Sequence, residues 1–217
     1  MNYKEIVKYY EECFAKHGDS HLGVGWPRKE DLNKRLEALC GVLNCFHGQK
    51  IKILDVGCGT GYLIEYLESP NNFLNRLKTP PKIDYIGLDL SEKFITYCRE
   101  NYSEYQWICG DLIQEPKIVP TFDVAIINGI FTQKRSLSQE DMKLFLVQVM
   151  QNLWMKCRKA LSFNTMSPIV DYKKPAAFHL GFEELTDIIQ KNFTREFQIV
   201  HNYGLYEYTT YLYKQRG

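Results

Sequence analysis

The stretch Ile51-Lys52-Ile53-Leu54-Asp55-Val56-Gly57-Cys58-Gly59-Thr60-Gly61 decides the fold. An apolar run ends in an acid and breaks into three alternate glycines, which reads as a buried strand followed by a tight turn. The turn opens into Tyr62-Leu63-Ile64-Glu65-Tyr66-Leu67, an amphipathic helix. A glycine turn lets a ligand approach the backbone, because no side chain stands in the way. A second strand-like run, Tyr85-Ile86-Gly87-Leu88-Asp89-Leu90, also ends in an acid. Asp89 is placed to accept from both hydroxyls of a ribose, the role an acid plays after the second strand of nucleotide-binding sheets. Dinucleotide turns read G-x-G-x-x-G, and here Tyr62 occupies the place of the third glycine. Asp55, just before the turn, suits a cationic ligand better than a pyrophosphate.

The remaining chain continues the alternation of strands and helices. Ser69-Pro70-Asn71-Asn72 through Thr79-Pro80-Pro81 reads as a loop around a short helical piece, which lengthens the spacing to Asp89. Ser91 is the expected cap of a helix from Glu92 to Tyr102. Tyr105-Gln106-Trp107-Ile108-Cys109-Gly110-Asp111-Leu112 gives a third strand, and Phe122-Asp123-Val124-Ala125-Ile126-Ile127-Asn128-Gly129 a fourth, apolar enough to be covered on both faces. Ser138-Gln139-Glu140-Asp141 opens a helix expected to run to about Lys159, before a fifth strand from Ala160 to Met166. Phe182 to Phe193 forms another helix, and the aromatic tail from Arg195 to Lys214 folds back at Asn202-Tyr203-Gly204 as a β-hairpin. Before the sheet, Tyr3, Ile6, Val7, Tyr10 and Phe14 form one apolar helical stripe, and Leu32, Leu36, Leu39, Leu43 and Phe46 a second. The loop between them, His17 to Pro27, is rich in glycine, histidine and tryptophan and reads as a lid. The expected organisation is a single domain over 1–217, with N-terminal helices and lid in 1–47 and a sheet core in 48–217.

Composition narrows the partners. The 217 residues carry 27 Lys and Arg against 26 Asp and Glu, a near-neutral balance with no basic stripe, so no nucleic-acid partner is expected. Seven cysteines without a C-x-x-C pair point to reduced thiols and a cytoplasmic setting. No leader profile or membrane-spanning run is expected.

The spacing D-x-G-x-G-x-G from Asp55 to Gly61 resembles the first motif of the class I S-adenosylmethionine-dependent methyltransferases. The resemblance extends from about Lys50 to the C-terminus. It implies a Rossmann-like α/β fold: a seven-stranded, mostly parallel sheet with helices on both faces and one antiparallel strand in the C-terminal hairpin. It implies S-adenosylmethionine as cofactor and S-adenosylhomocysteine as product. The implied cofactor-binding residues are Asp55, Gly57, Cys58, Gly59, Asp89, Leu90, Asp111, Leu112, Asn128 and Trp26. Asp111 would accept from the adenine amino group, and Asn128 would lie beside the methyl group. Trp26 would cover the methionine end, and Arg35 is a candidate partner for the cofactor carboxylate.

Segments His17–Pro27, Asn128–Arg135, Phe163–Asp171 and Tyr203–Tyr208 resemble a bacterial subgroup of small methyltransferases linked with surface polysaccharides. That similarity implies a small-molecule acceptor, a sugar, nucleotide sugar or capsule-type decoration methylated on oxygen; a monomer or homodimer is expected. Members that methylate adenine or glutamine nitrogen carry Asn-Pro-Pro-aromatic after the fourth strand. Here Gly129 and Ile130 replace both prolines. Metal-dependent members carry acids nearby, whereas Asn128 stands alone, so no metal is expected. A sugar hydroxyl needs a base. His179 is the first candidate, with Asp171 orienting it or binding the sugar, and His21 on the lid is the second. Tyr206, Glu207 and Tyr208 are candidate acceptor-pocket residues. The competing readings are an amine or protein side-chain N-methyltransferase, a cofactor-binding protein without turnover, and a dinucleotide oxidoreductase.

Overall fold

A computed structural model describes residues 2–214. The elements in chain order are α1 (Lys4–His17), α2 (Lys29–Cys40), β1 (Lys50–Val56), α3 (Tyr62–Glu68), β2 (Lys82–Asp89), α4 (Glu92–Asn101), β3 (Gln106–Cys109), β4 (Phe122–Ile127), α5 (Gln139–Lys156), β5 (Cys157–Met166), α6 (Phe182–Asn192), β6 (Phe197–Val200) and β7 (Glu207–Tyr213). The strands form one seven-stranded sheet in the order β3-β2-β1-β4-β5-β7-β6. β1 pairs in parallel with both β2 and β4. Only β7 runs antiparallel to its neighbours, β5 and β6. The fold class read from the sequence is therefore the one observed.

Strand direction follows from burial. β4 is buried at every position, so both of its faces need cover. One face packs against α5, α6 and the start of α1 through Phe122, Leu146, Leu153, Phe163, Leu185 and Ile6. The other packs against α2, α3 and α4 through Leu36, Leu39, Ile64, Ile95, Val124 and Ile126. Right-handed crossovers between parallel strands bring the β-strand C-termini to one edge, where the ligand crevice of such sheets lies. The loops after β1, β2, β3, β4 and β5 all emerge there.

Local details depart from the expectation in three places. Ser91 does not cap α4 with its side chain; its Oγ donates to Glu11 Oε1 of α1 at 2.6 Å. Ser138 does cap α5, accepting from the Asp141 N–H at 3.0 Å. α5 stops at Lys156 and β5 starts at Cys157, because Cys157 already pairs with Phe122. α2 ends at Cys40 and tightens into a 3-10 turn over Gly41–Cys45, where Tyr211 donates its hydroxyl to the Ala38 carbonyl. Leu43 and Phe46 are still buried there.

Gly87 in β2 has a packing reason. A Cβ at this position would overlap the ring of Trp107 on β3. That ring is held, since Trp107 Nε1 donates to the Tyr102 carbonyl at 2.8 Å. Gly87→Ala is expected to destabilise the fold by about 1–3 kcal/mol, read as a lower midpoint in urea at unchanged slope.

Candidate cofactor site and the polar wall beside it

The glycine turn is built as the sequence suggested. Gly57, Gly59 and Gly61 hold φ values of 72°, 54° and 90°, the left-handed region that a side chain disfavours. The turn is tied to β2 from both sides. Gly57 N–H donates to the Leu88 carbonyl at 2.7 Å. Asp89 Oδ2 accepts from the Gly59 N–H at 2.9 Å, and its Oδ1 accepts from the Ser91 N–H at 2.9 Å. Burial raises the Asp89 carboxyl above its ordinary value, and these backbone donors pull it back.

Above the turn lies a cavity of about 1050 Å³, its open mouth included. All the expected cofactor residues but one line it: Gly57, Cys58 and Gly59 from the first turn, Asp89 and Leu90 from the second, Asp111 and Leu112 from the third, Asn128 from the fourth, and Trp26 from the lid. The α1 stripe supplies Tyr3, Ile6, Val7 and Tyr10 as a further wall. This is a feature the sequence reading missed, since it left that stripe without a partner. α1 is fastened over the mouth: Tyr3 donates to Asp111 Oδ2 at 2.7 Å and stacks on Phe145 with centroids 5.2 Å apart. Phe14 packs on Phe94 of α4 with centroids 5.3 Å apart.

The exception is Asp55, and Arg35, the candidate partner for the cofactor carboxylate, is also absent from the lining. Asp55 is 2 % exposed and accepts from the Tyr85 hydroxyl at 2.7 Å. Burial pushes its carboxyl up to about 7, the Tyr85 hydrogen bond opposes this, and the Asp89 charge adds to it. The three expected catalytic residues also lie off the cavity lining. His179 is buried, with Nδ1 2.7 Å from the Ser167 carbonyl, so Nδ1 donates there, and Nε2 has no partner. Asp171 does not orient His179; it sits in an exposed loop and accepts from the Tyr206 hydroxyl. His21 Nδ1 meets the Trp26 carbonyl at 2.7 Å and braces the lid. Each is held by a main-chain carbonyl or a distant loop partner, and sequence order carries no information about such pairings.

A second group of buried polar residues stands beside the Trp26 wall. Arg35 of α2 lays its guanidinium over the Trp26 ring, 3.8 Å from the centroid, and pairs through Nε with Glu207 Oε1. Glu207 Oε2 accepts from Asn164 Nδ2 at 2.8 Å, and Asn164 Oδ1 accepts from the Gly129 N–H at 2.8 Å. Burial pushes the Glu207 carboxyl up to about 7, with Arg35 opposing. The sequence reading placed Glu207 near the acceptor but did not connect it to Arg35. The two are far apart in the chain and meet only because α2 crosses β7. Among the described residues, no cluster of three metal-ligating side chains occurs, and no helix is long and apolar enough to cross a membrane.

The comparisons agree with this geometry. The family profile described as "Methyltransferase domain" matches residues 47–199. The chain belongs to that family. It carries an S-adenosylmethionine-dependent methyltransferase domain. It is 24% identical over 181 residues to the malonyl-[acyl-carrier protein] O-methyltransferase of Halalkalibacterium halodurans, covering 81% of this chain and 61% of that protein. It is 35% identical over 144 residues to the malonyl-[acyl-carrier protein] O-methyltransferase of Priestia megaterium, covering 65% and 47%. The chain thus spans roughly half to three-fifths of the length of these curated relatives. Among solved structures, magnesium protoporphyrin IX methyltransferase from Synechocystis PCC 6803 with bound S-adenosylmethionine superposes with a TM-score of 0.63. It covers 99% of this chain and 98% of its own at 14% identity, a likeness of fold.

The cavity fits that cofactor. Asp89 offers carboxylate acceptors at the turn, the glycines leave room above Gly57 and Gly59, and Leu90, Leu112 and Ile113 supply apolar walls. Asp89→Ala is expected to weaken S-adenosylhomocysteine binding about ten- to a hundredfold by calorimetry, the cost of charge-assisted hydrogen bonds.

Asp55 makes a separate prediction. The folded protein keeps a proton to about 7 that the unfolded chain releases near 3.8. The native state therefore binds more protons over that interval, and stability falls as pH rises through it. Relative to Asp55→Asn, the wild type should lose up to about 4 kcal/mol between pH ~4 and ~7, read by urea unfolding across that range.

Proposed function

We propose that the protein transfers the methyl group of S-adenosylmethionine to an acceptor oxygen that is ionised before it arrives, a carboxylate on a small or carrier-linked acid. The observation that carries this reading is that the cavity offers no free base with a neutral-range imidazole or amine. No histidine or lysine lines it among the described residues. Its titratable side chains are Asp89, Asp111, Tyr3, Tyr10, Tyr62 and Cys58. Burial pushes the Tyr10 and Tyr62 phenols and the Cys58 thiol upward, away from proton acceptance at neutral pH. Asp111 accepts from Tyr3, and Asp89 is engaged by backbone donors.

The cofactor's sulfonium supplies a strong leaving group. What the chain must add is orientation and exclusion of water. α1 and Trp26 close the cavity, and Gly129 and Asn128 floor it beside β4. A carboxylate needs no proton removed before attack, whereas a hydroxyl does. The names of the malonyl-[acyl-carrier protein] O-methyltransferases support an acid as acceptor.

One observation favours a second reading, a hydroxyl of a sugar or nucleotide sugar. His179 Nε2 is buried without a partner at the C-terminal end of β5, where Met166 pairs with His179. A loop movement that admits the acceptor there would give the lone pair a proton to take.

The test is methyl transfer from labelled S-adenosylmethionine to two sets of acceptors. One holds malonyl, succinyl and glutaryl thioesters of pantetheine; the other holds uridine diphosphate sugars. Mass spectrometry should find methyl esters of the acids. Transfer to the sugars alone, abolished by His179→Gln, would replace this reading with the second.

A further inference from the structure

The wall beside Trp26 holds a buried cation, Arg35, paired with a buried acid, Glu207. Arg35 is 8 % exposed and Glu207 1 %. A buried ion pair rarely stabilises a protein more than apolar packing of the same volume. Here it is also incomplete: Arg35 Nη1 is buried and makes no hydrogen bond, and Nε and Glu207 Oε1, though in ion-pair contact, are not aligned as a hydrogen bond. Leaving such a donor unpaired costs stability, and buried polar atoms are otherwise almost always satisfied.

The position of this donor is specific. Arg35 is not itself part of the cavity lining; it stands directly behind Trp26 and one helical turn from Leu32, both of which line the cavity. The guanidinium is then fixed on three sides. Trp26 supplies its ring face, Glu207 takes Nε, and Asn164 holds Glu207 while also accepting from Gly129 N–H. Gly129 itself lines the cavity and lies against the edge of Trp26: a Cβ there would be 2.9 Å from Trp26 Cζ2. The chain Gly129–Asn164–Glu207–Arg35–Trp26 thus closes on both walls of the methyl end.

We infer that Arg35 is the acceptor-recognition residue, its unpaired Nη1–H taking a carboxylate of the acceptor while Glu207 and Asn164 hold the guanidinium in register with Gly129. This rests on the acid-acceptor reading above. One oxygen of the carboxylate on the guanidinium leaves the other free, and a planar fork suits that geometry better than an ammonium would. The cofactor also carries a carboxylate, so the same chemistry has a second source, and the experiment separates the two.

Protein saturated with S-adenosylhomocysteine is titrated calorimetrically with the monoamides of malonate, succinate and glutarate, and with the matching uncharged diamides. At least one monoamide should bind and the diamides should not. Arg35→Lys should weaken that binding roughly ten- to a hundredfold, the loss of a charge-assisted hydrogen bond. Arg35→Met together with Glu207→Met should abolish it without leaving an uncompensated buried charge. S-adenosylhomocysteine affinity should stay within about threefold in both variants. If the double variant does not fold, Arg35→Lys decides alone. Unchanged acid binding in the variants, or no acid binding to the wild type, overturns the inference. Weakened S-adenosylhomocysteine binding also overturns it, assigning Arg35 to the cofactor carboxylate. Acid methylation by the wild type together with acid binding indifferent to Arg35 sinks this inference alone. Methylation of sugars only sinks the functional reading, which calorimetry does not address.

Discussion

The buried carboxylate of Asp89 is the constraint from which the site is built. It ends β2, yet its two oxygens accept from Gly59 in the first turn and from Ser91 at the start of α4. Burying a charge is unfavourable unless donors compensate it, and here the backbone supplies them. The consequence is geometric. The glycine turn cannot drift from the end of the second strand, so the bare corner of backbone and the acid beside it are set in place together. Gly57 N–H on the Leu88 carbonyl adds a second tie between the same two segments. A cavity preformed in this way loses little entropy when a ligand enters.

A second layer of contacts decides access. α1 adds no strand and no catalytic group, yet its apolar stripe completes the cavity wall. Its polar contacts are aimed at the same elements that hold the cofactor residues: Tyr3 at Asp111, and Glu11 at Ser91 and Lys93. A helix joined to the body mainly by one stripe and a few such bonds is the segment that opens at the lowest free energy. The contacts Glu11–Lys93 and Tyr97–Asp19 are individually weak.

Charge divides the site in two. Asp89 and Asp111 line the cavity after β2 and β3, Asp55 is buried off its lining, and Arg35 is buried against the Trp26 wall. On the proposed reading, a cationic donor and an anionic acceptor each meet the opposite sign, and the low dielectric of a closed cavity strengthens both interactions. Glu207 keeps the cation from being uncompensated when the acceptor is away.

What was legible in the sequence is what neighbouring residues decide. The three glycines after β1 announce a left-handed turn because conformational freedom is a property of the residue itself. The acids ending β2 and following β3 announce cavity-lining positions because a strand's end lies at the edge of the sheet. Apolar runs and their spacing announced five strands and a terminal hairpin, since periodicity reports which face is buried. Side-chain partners between distant segments were not legible. Nothing local shows that Asp55 turns to Tyr85 rather than the cavity, that Ser167 instead of Asp171 holds His179, or that α1 caps the site. Arg35 and Glu207 meet because α2 happens to cross the end of β7. Only the packed sheet and its helices decide such pairings, because hydrogen bonds and ion pairs depend on distance in space and the chain encodes that distance collectively.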